Sequence, residues 1–436
     1  MGRPKKATPI VEKAPPKVAG GFDVLPEQHL ARGFFLEKLQ NLAQTFSYSK
    51  IETPLVEDTR LFKFWKEAHP KEALFEMASD DGPPAGRAGK TVMAIKPTNL
   101  FSLARAYLEH HYYEKERTSK WFYLSSAAYL NSNRELQQVN EWGFQIFGET
   151  SAIADVQLMN LLLKLFSDLS LSSVSLEINN IGCLECLPPY LEVLKNFFKD
   201  KKYDLCENCL EDLENNPLNI LACNNLSCTT AAADVPVLVD YLCEACRRHF
   251  IGVLEGLDEL DIPYSLNQKV IGFPWSRKTV FEFRYKTADN QEIVLGQGGH
   301  ADDLIQSLGG VPASALGFVG SQDQIALVLE LTNHKLVAKS KVEVFLVPLG
   351  ELAAKKSLRL FTELWSHNIV AAEFIGPGSI KTQLRLAESN KVGIALIIGQ
   401  KEAREGTVIL RDVPSGMQEL FTVERIIEEV KKRLGR

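Results

Sequence analysis

Outside residues 183–246 the chain has no cysteine at all, and every one of its eight falls inside that window. It also lacks any run near the roughly 20 apolar residues that a bilayer span needs. The opening Met1-Gly-Arg-Pro-Lys-Lys6 has no apolar stretch of the signal-peptide kind, and Lys6 stands where a myristoylation motif wants Ser or Thr. No internal repeat occurs, which removes solenoids and propellers from consideration. Gly296-Gln-Gly-Gly299 has no following Lys-Ser/Thr, so it reads as close backbone packing rather than a phosphate cradle. These absences lead us to expect a cytoplasmic protein without a membrane partner.

What is present is the composition of a globular protein. Of 436 residues, 45% are hydrophobic and 24% charged, enough for two or three cores. The net charge is −6 and unevenly spread. Residues 1–20 carry five basic side chains against Glu12, so this Pro-rich arm is +4 and the rest of the chain −10. Such an arm cannot bury a core and is expected to be a disordered, solubilising tail, or a weak tether for nucleic acid.

From Gly21 onward the pattern is that of folded sequence. Residues 27–48 have helical spacing, and Ile51–Val56 reads as an edge strand interrupted by Pro54. The Gly/Pro-rich stretch 79–90 is a loop, followed by strand–helix alternations at 91–113 and 121–165. Strand patterns return at 268–273, 279–285 and 292–296, with helices at 301–309 and 321–332. After Lys341, strands alternate with helices, predicting a compact α/β domain with a largely parallel sheet. Gly350, Gly376 and Gly399 each follow one of its strands. His110 and His111 belong to a solvated or packed helix face.

The cysteines form four pairs: Cys183/Cys186, Cys206/Cys209, Cys223/Cys228 and Cys243/Cys246. Eight thiolates suffice for two four-cysteine shells, in which paired knuckles hold a tetrahedral ion at roughly 2.3 Å. In a cytoplasmic chain disulfides are the weaker reading, as are iron–sulfur clusters and unligated thiols. The ends of an inserted domain lie close together. Cys183, Cys186, Cys243 and Cys246 are therefore expected to make one zinc site, and Cys206, Cys209, Cys223 and Cys228 an inner one. Both are structural, because a catalytic zinc keeps an open position.

Gly21-Phe-Asp-Val-Leu-Pro26, Ile51-Glu-Thr-Pro-Leu-Val-Glu57, the cysteine-bearing insert, Gly298-Gly-His-Ala-Asp302 and Leu308-Gly-Gly-Val-Pro312 occur in the order of one family. Over residues 21–436 the chain resembles the histidyl-tRNA synthetases. That resemblance implies a class II catalytic core with an antiparallel sheet (21–180 and 256–335). It also implies a zinc-type helical insertion (181–255) and an α/β anticodon-binding-like domain (341–436). It further implies a homodimer with its interface at Ile51–Glu57, tRNA as partner, and ATP with Mg²⁺ as cosubstrates if the ligase activity persists.

In that family histidine attacks the α-phosphate of ATP, so cations must offset the growing charge and a carboxylate must hold the amine. At the matching positions this chain departs. Lys96-Pro-Thr98 replaces Arg-Pro-Glu, although Arg105 is kept, and Tyr129-Leu130-Asn131-Ser132 replaces the Phe-Arg-x-Glu of motif 2, with Arg134 nearby. The histidine-facing pair appears as Glu141 and Gln145; Ile271 stands for the catalytic Arg, Trp275 and Ser276 for paired tyrosines, and Gln324 for the motif 3 Arg. His300 replaces an Arg and is expected to face the old pocket. Losing one transition-state donor costs roughly 10²–10³ in rate. The pattern therefore implies a synthetase-like protein without aminoacylation activity, kept for binding tRNA or a protein partner. The alternative is a divergent histidine–tRNA ligase whose missing charge comes from Lys96, Arg105, Arg134, Arg277 or Lys278.

Overall fold

A computed structural model of the chain describes residues 16–77, 92–332, 342–373 and 378–436. The arm through residue 15, the loop expected at 79–90 and Gly376 lie outside the described residues. The chain divides into two compact units, one through Leu336 and one from Val337.

The first unit opens with α1 (His29–Thr45), whose Phe35, Leu39 and Leu42 recur at helical spacing and are buried. The strand expected at Ile51–Val56 does not form. Instead β1 (Ser49–Lys50) and β2 (Val56–Asp58) flank it, because Pro54 has no N–H to give a ladder. Short elements follow: α2 (Lys63–Ala68), β3 (Ala73–Leu74), β4 (Glu76–Met77), β5 (Met93–Ile95), α3 (Leu100–Glu109) and α4 (Tyr112–Lys115). His110 and His111 are exposed at the break between α3 and α4, with His111 left-handed at φ 54°.

The alternation expected at 121–165 is in fact a long hairpin and a helix. Strands β6 (Ser119–Leu130) and β7 (Leu136–Phe147) pair antiparallel along their whole length before α5 (Ala152–Asp168) and β8 (Val174–Asn180). Helices α6 (Leu187–Lys199), α7 (Glu207–Asn215) and α8 (Leu226–Ala231) then make the cysteine-rich insert, and α9 (Glu244–Glu259) leads back. Next come β9 (Ser265–Leu266), β10 (Arg277–Lys286), β11 (Glu292–His300), α10 (Asp302–Ser307), β12 (Ala315–Ser321) and α11 (Gln322–Leu331). Residues 268–273, expected as a strand, are a loop; it carries Pro274 and Gly272, the latter at φ 65°.

Among the described residues the main sheet runs β1-β6-β7-β12-β11-β10-β8-β9, with β3 beside β6. Its six central strands are antiparallel throughout. One face is covered by α1, α5, α9 and α11, around Trp142, Phe144, Phe281 and Phe318. Gly296 and Gly298 permit this packing: a Cβ on either would stand 2.3 Å from the ring of Phe318 or Phe281. The other face is left for a cleft.

The second unit holds β13 (Val344–Pro348), α12 (Glu351–Ser366), β14 (Ala371–Glu373), α13 (Ile380–Ser389), β15 (Ile394–Ile398), α14 (Gln400–Glu405), β16 (Thr407–Asp412), β17 (Gln418–Thr422) and α15 (Val423–Arg433). Its sheet runs β14-β13-β15-β16-β17 and is mixed, not largely parallel. The first three strands are parallel; β16 and β17 return antiparallel because only the short α14 separates β15 from β16, and a turn separates β16 from β17. No helix among the described residues is long and apolar enough to cross a membrane.

Candidate active-site cleft and cysteine sites

On the open face of the sheet, alternate residues of β7, β11 and β12 point outward: Glu141, Gln145, Gln297 and Val319. Thr98, just before α3, and Phe273-x-Trp275 before β10 close over them. The result is a narrow inner recess of about 30 Å³ opening into an outer cleft of about 340 Å³. The recess has room for about one water. Trp275 forms one of its walls, stacked on Phe273 at 5.2 Å and set edgewise on Phe101 at 5.1 Å.

Glu141 is buried under the outer cleft and accepts from the Asn99 backbone N–H at 2.9 Å and side-chain amide at 2.7 Å. Burial raises its carboxyl above the usual range, and the bonds from Asn99 and Thr98 oppose that rise. Gln145 spends its amide on the Leu316 carbonyl at 2.9 Å. Ser276 lines the recess, its hydroxyl accepting from the Phe273 N–H at 2.9 Å. Gln324 and Tyr129, the first residue of the motif 2 segment, line the outer cleft, together with residues the sequence did not single out: Trp65, His69 and Glu72. Trp65 and His69 stack at 4.8 Å, and their i, i+4 spacing was the available signal.

Among the described residues lining this cleft there is no lysine or arginine, while Glu72 and Glu141 are acidic. The cations expected as substitutes are engaged elsewhere. Lys96 is fully buried and bonds Thr53 through its hydroxyl at 2.9 Å and carbonyl at 3.2 Å. Arg105 pairs with Glu57 at 2.8 Å and with Glu109. Arg277 pairs with Asp303 at 2.8 Å, and Lys278 with Asp302 at 2.6 Å. Arg134 is exposed in the turn between β6 and β7, at φ 62°.

Three residues expected to line the pocket do not. Leu130 is the last residue of β6, paired with Leu136 and Ala73, outside the cleft lining. Ile271 packs against the cysteine-rich cluster. His300 shares the parity of Gly296 and Gly298 and points to the helix-covered face, where Nε2 lies 2.9 Å from Asp155 of α5. Burial lowers the basicity of His300, but Asp155 more than reverses this and lifts it to about 9. Asp302 is also buried, yet His300 and Lys278 hold it well below the carboxylate range.

The insert brings its thiols together in two groups: Cys183, Cys186, Cys243 and Cys246, and Cys206, Cys209, Cys223 and Cys228. In the first, Sγ–Sγ separations are 3.5 Å (Cys183–Cys186), 3.9 Å (Cys183–Cys243) and 3.7 Å (Cys186–Cys246). Four sulfurs at roughly 2.3 Å from a tetrahedral centre would stand about 3.8 Å apart, so the spacing fits an ion. Backbone N–H groups aim at the sulfurs, from Cys183 to Cys186 at 3.2 Å and from Cys206 to Cys228 at 3.2 Å. The N–H of Cys209 is the main cause that lowers the Cys206 thiol to about 7. Both groups can hold a metal ion, and each is closed by four protein ligands.

An antiparallel six-strand core with helices on one face, a cleft on the other, and a separate mixed α/β unit define a class II aminoacyl-tRNA synthetase fold. Residues 20–209 match the family model described as histidyl-tRNA synthetase, and residues 343–433 the anticodon binding domain. The chain is 29% identical over 418 residues to the histidine–tRNA ligase of Dehalococcoides mccartyi, covering 95% of this chain and 99% of that one. It is 27% identical over 430 residues to the ligase of Natranaerobius thermophilus, covering 98% and 100%. The fold is also that of the apo histidyl-tRNA synthetase of S. aureus (TM-score 0.76, 22% identity, 96% and 100% covered). A protein from Bacillus halodurans described as ATP phosphoribosyltransferase regulatory subunit/histidyl-tRNA synthetase shares it too (TM-score 0.61, 16% identity, 90% and 100% covered). The chain belongs to the histidyl-tRNA synthetase family.

Proposed function

We propose that this family member does not activate histidine and is retained for binding, to tRNA or to a protein partner. The observation that carries the reading is the absence of lysine and arginine among the described residues that line the cleft. A nucleoside triphosphate brings about four negative charges, and a phosphoryl-transfer site offsets them with fixed donors. Here the described lining offers two carboxylates, and the nearby Arg105, Arg277 and Lys278 are already paired with acids. The recess of about 30 Å³ is also too small for an amino-acid side chain unless Trp275 moves.

The anticodon-binding unit supports tRNA as the ligand, and the basic arm would add a salt-sensitive contribution. We assign zinc to the two cysteine sites, as structural ions at a cysteine-rich insertion (181–255) within the core (21–180 and 256–335). We also propose a homodimer in the cytoplasm, as family membership suggests.

Histidine-dependent pyrophosphate exchange by zinc-loaded protein, run beside a working synthetase, tests the reading. Exchange no higher than in buffer is expected; exchange above it overturns the proposal. The divergent ligase is kept as the second reading because the match to curated ligases runs the full length of both chains. On that reading Arg277→Ala and Lys278→Ala would reduce a measurable exchange rate.

A further inference from the structure

On the helix-covered side of the sheet, away from the cleft, three side chains from three distant segments meet. Asp155 sits in the first turn of α5, His249 on α9, and His300 at the end of β11. One ligand atom of each lies within 4.8 Å of the other two. We propose that Asp155, His249 and His300 form a third metal site, for a divalent ion of the zinc type, which fastens α9 to the sheet.

The distances suit such an ion. His300 Nε2 is 2.9 Å and 3.1 Å from the two Asp155 oxygens, and His249 Nε2 is 3.5 Å from Oδ2. Nitrogen and oxygen ligands at roughly 2.0–2.1 Å from a tetrahedral ion stand about 3.3 Å apart. Two imidazoles and a carboxylate are a donor set that zinc and cobalt accept.

The environment supplies what the ligands alone do not explain. His249 is 12% exposed, yet neither of its ring nitrogens has a hydrogen bond. Such orphaned groups are costly and call for a partner. Asp302 Oδ1 stands 3.5 Å from His300 Nδ1 and is itself fixed by the Ser314 hydroxyl at 3.0 Å and the Ala315 N–H at 3.0 Å. A carboxylate behind one ring nitrogen orients a histidine so that the other nitrogen faces an ion.

The position gives the site its use. His249 lies one helical turn beyond Cys246, so α9 leaves one cysteine site and enters this one. Along the same helix Gly252 and Gly256 bring it close to α5, where added Cβ atoms would meet Ala152 at 3.2 Å and Val156 at 2.7 Å. The ion would hold the insert's exit helix in register on the core.

Cobalt(II) titration of the full-length protein, freed of metal and reduced, separates the sites by their ligands. Thiolate-to-cobalt absorption should saturate at two equivalents, and a third equivalent should bind without adding to it. His249→Ala should lose that third equivalent alone, and metal analysis of zinc-loaded protein should show three ions falling to two. Should His249→Ala not fold, His249→Gln keeps the volume without the imidazole. Wild-type binding that stops at two equivalents overturns the proposal. So does a third equivalent that persists in a folded His249 variant, since it would lie elsewhere on the surface.

Discussion

Lys96 and Trp275 are both buried, and replacing either has a measurable consequence. Lys96 is a lone ammonium in the protein interior, and burial lowers it to about 8 although Glu141 and Glu57 favour its charge. Between pH 8 and about 10.5 the unfolded chain keeps this proton and the native one has released it, so stability rises with pH over that window. Lys96→Met should remove this rising limb. Its advantage over wild type should be largest below pH 8, at most about 3 kcal/mol, and fade toward pH 10.5, as read from urea unfolding at several pH values. Trp275 is 4% exposed and walls the recess. Trp275→Ala should cost about 3–5 kcal/mol and leave a cavity able to take a small aromatic molecule, detectable as a ligand-induced rise in Tm. Thr98, Glu141, Gln145 and Trp275 were legible as cleft residues because each sits in a motif whose neighbours still match. Leu130 and His300 were not, because one-residue parity decides which face of a strand a side chain takes, and no motif records that His300 turns toward Asp155. Ile271 was not, because it lies in a loop that packs against the cysteine-rich cluster.

At the scale of elements, the cysteine knuckles were readable and the strands less so. A CxxC pair is local chemistry with fixed reach, whereas the β6–β7 hairpin depends on long-range pairing that the period of the sequence does not announce. Proline punctuated the chain as expected of a residue without an N–H, but it separates the two short strands β1 and β2 instead of marking the edge of one. The two cysteine sites hold different elements, and that difference is measurable. The inner group lies on α7, α8 and the segment between, while the outer group anchors α6 and the start of α9. Cys209→Ser should release one metal ion and raise amide exchange across 207–231, leaving α9 protected. Cys186→Ser should also release one ion, yet speed exchange in the first turns of α9. Equal exchange patterns for the two variants would mean that the insert opens as a single piece.

The two units differ in how each secures its core. The first unit carries every cysteine, and its insert is a run of short helices whose buried cluster includes Cys186, Cys209, Cys228 and Cys246. With metal in the two proposed sites, its binding there would add to the folding free energy of such a segment. The second unit has no cysteine and packs both faces of its own mixed sheet, around Leu360, Leu396 and Val430 on one side and Val347, Ala387 and Ile397 on the other. Strand–helix alternation made that unit legible from sequence, since its central strands β13 and β15 are continuous apolar runs. Its last strand was harder to place because β17 is largely exposed and carries little apolar signal. Chelation should therefore act on one unit only. In calorimetry of the full chain we expect two transitions. Removing metal should lower the Tm of the larger one and leave the other in place, with an enthalpy of about 60–80 kcal/mol, as befits roughly 100 residues. Trp365, on α12, is the one tryptophan of the second unit, so emission from a variant with the other four replaced by phenylalanine assigns the unmoved transition. A single transition that shifts as a whole on chelation would show instead that the second unit depends on the metal-bound first one for its stability.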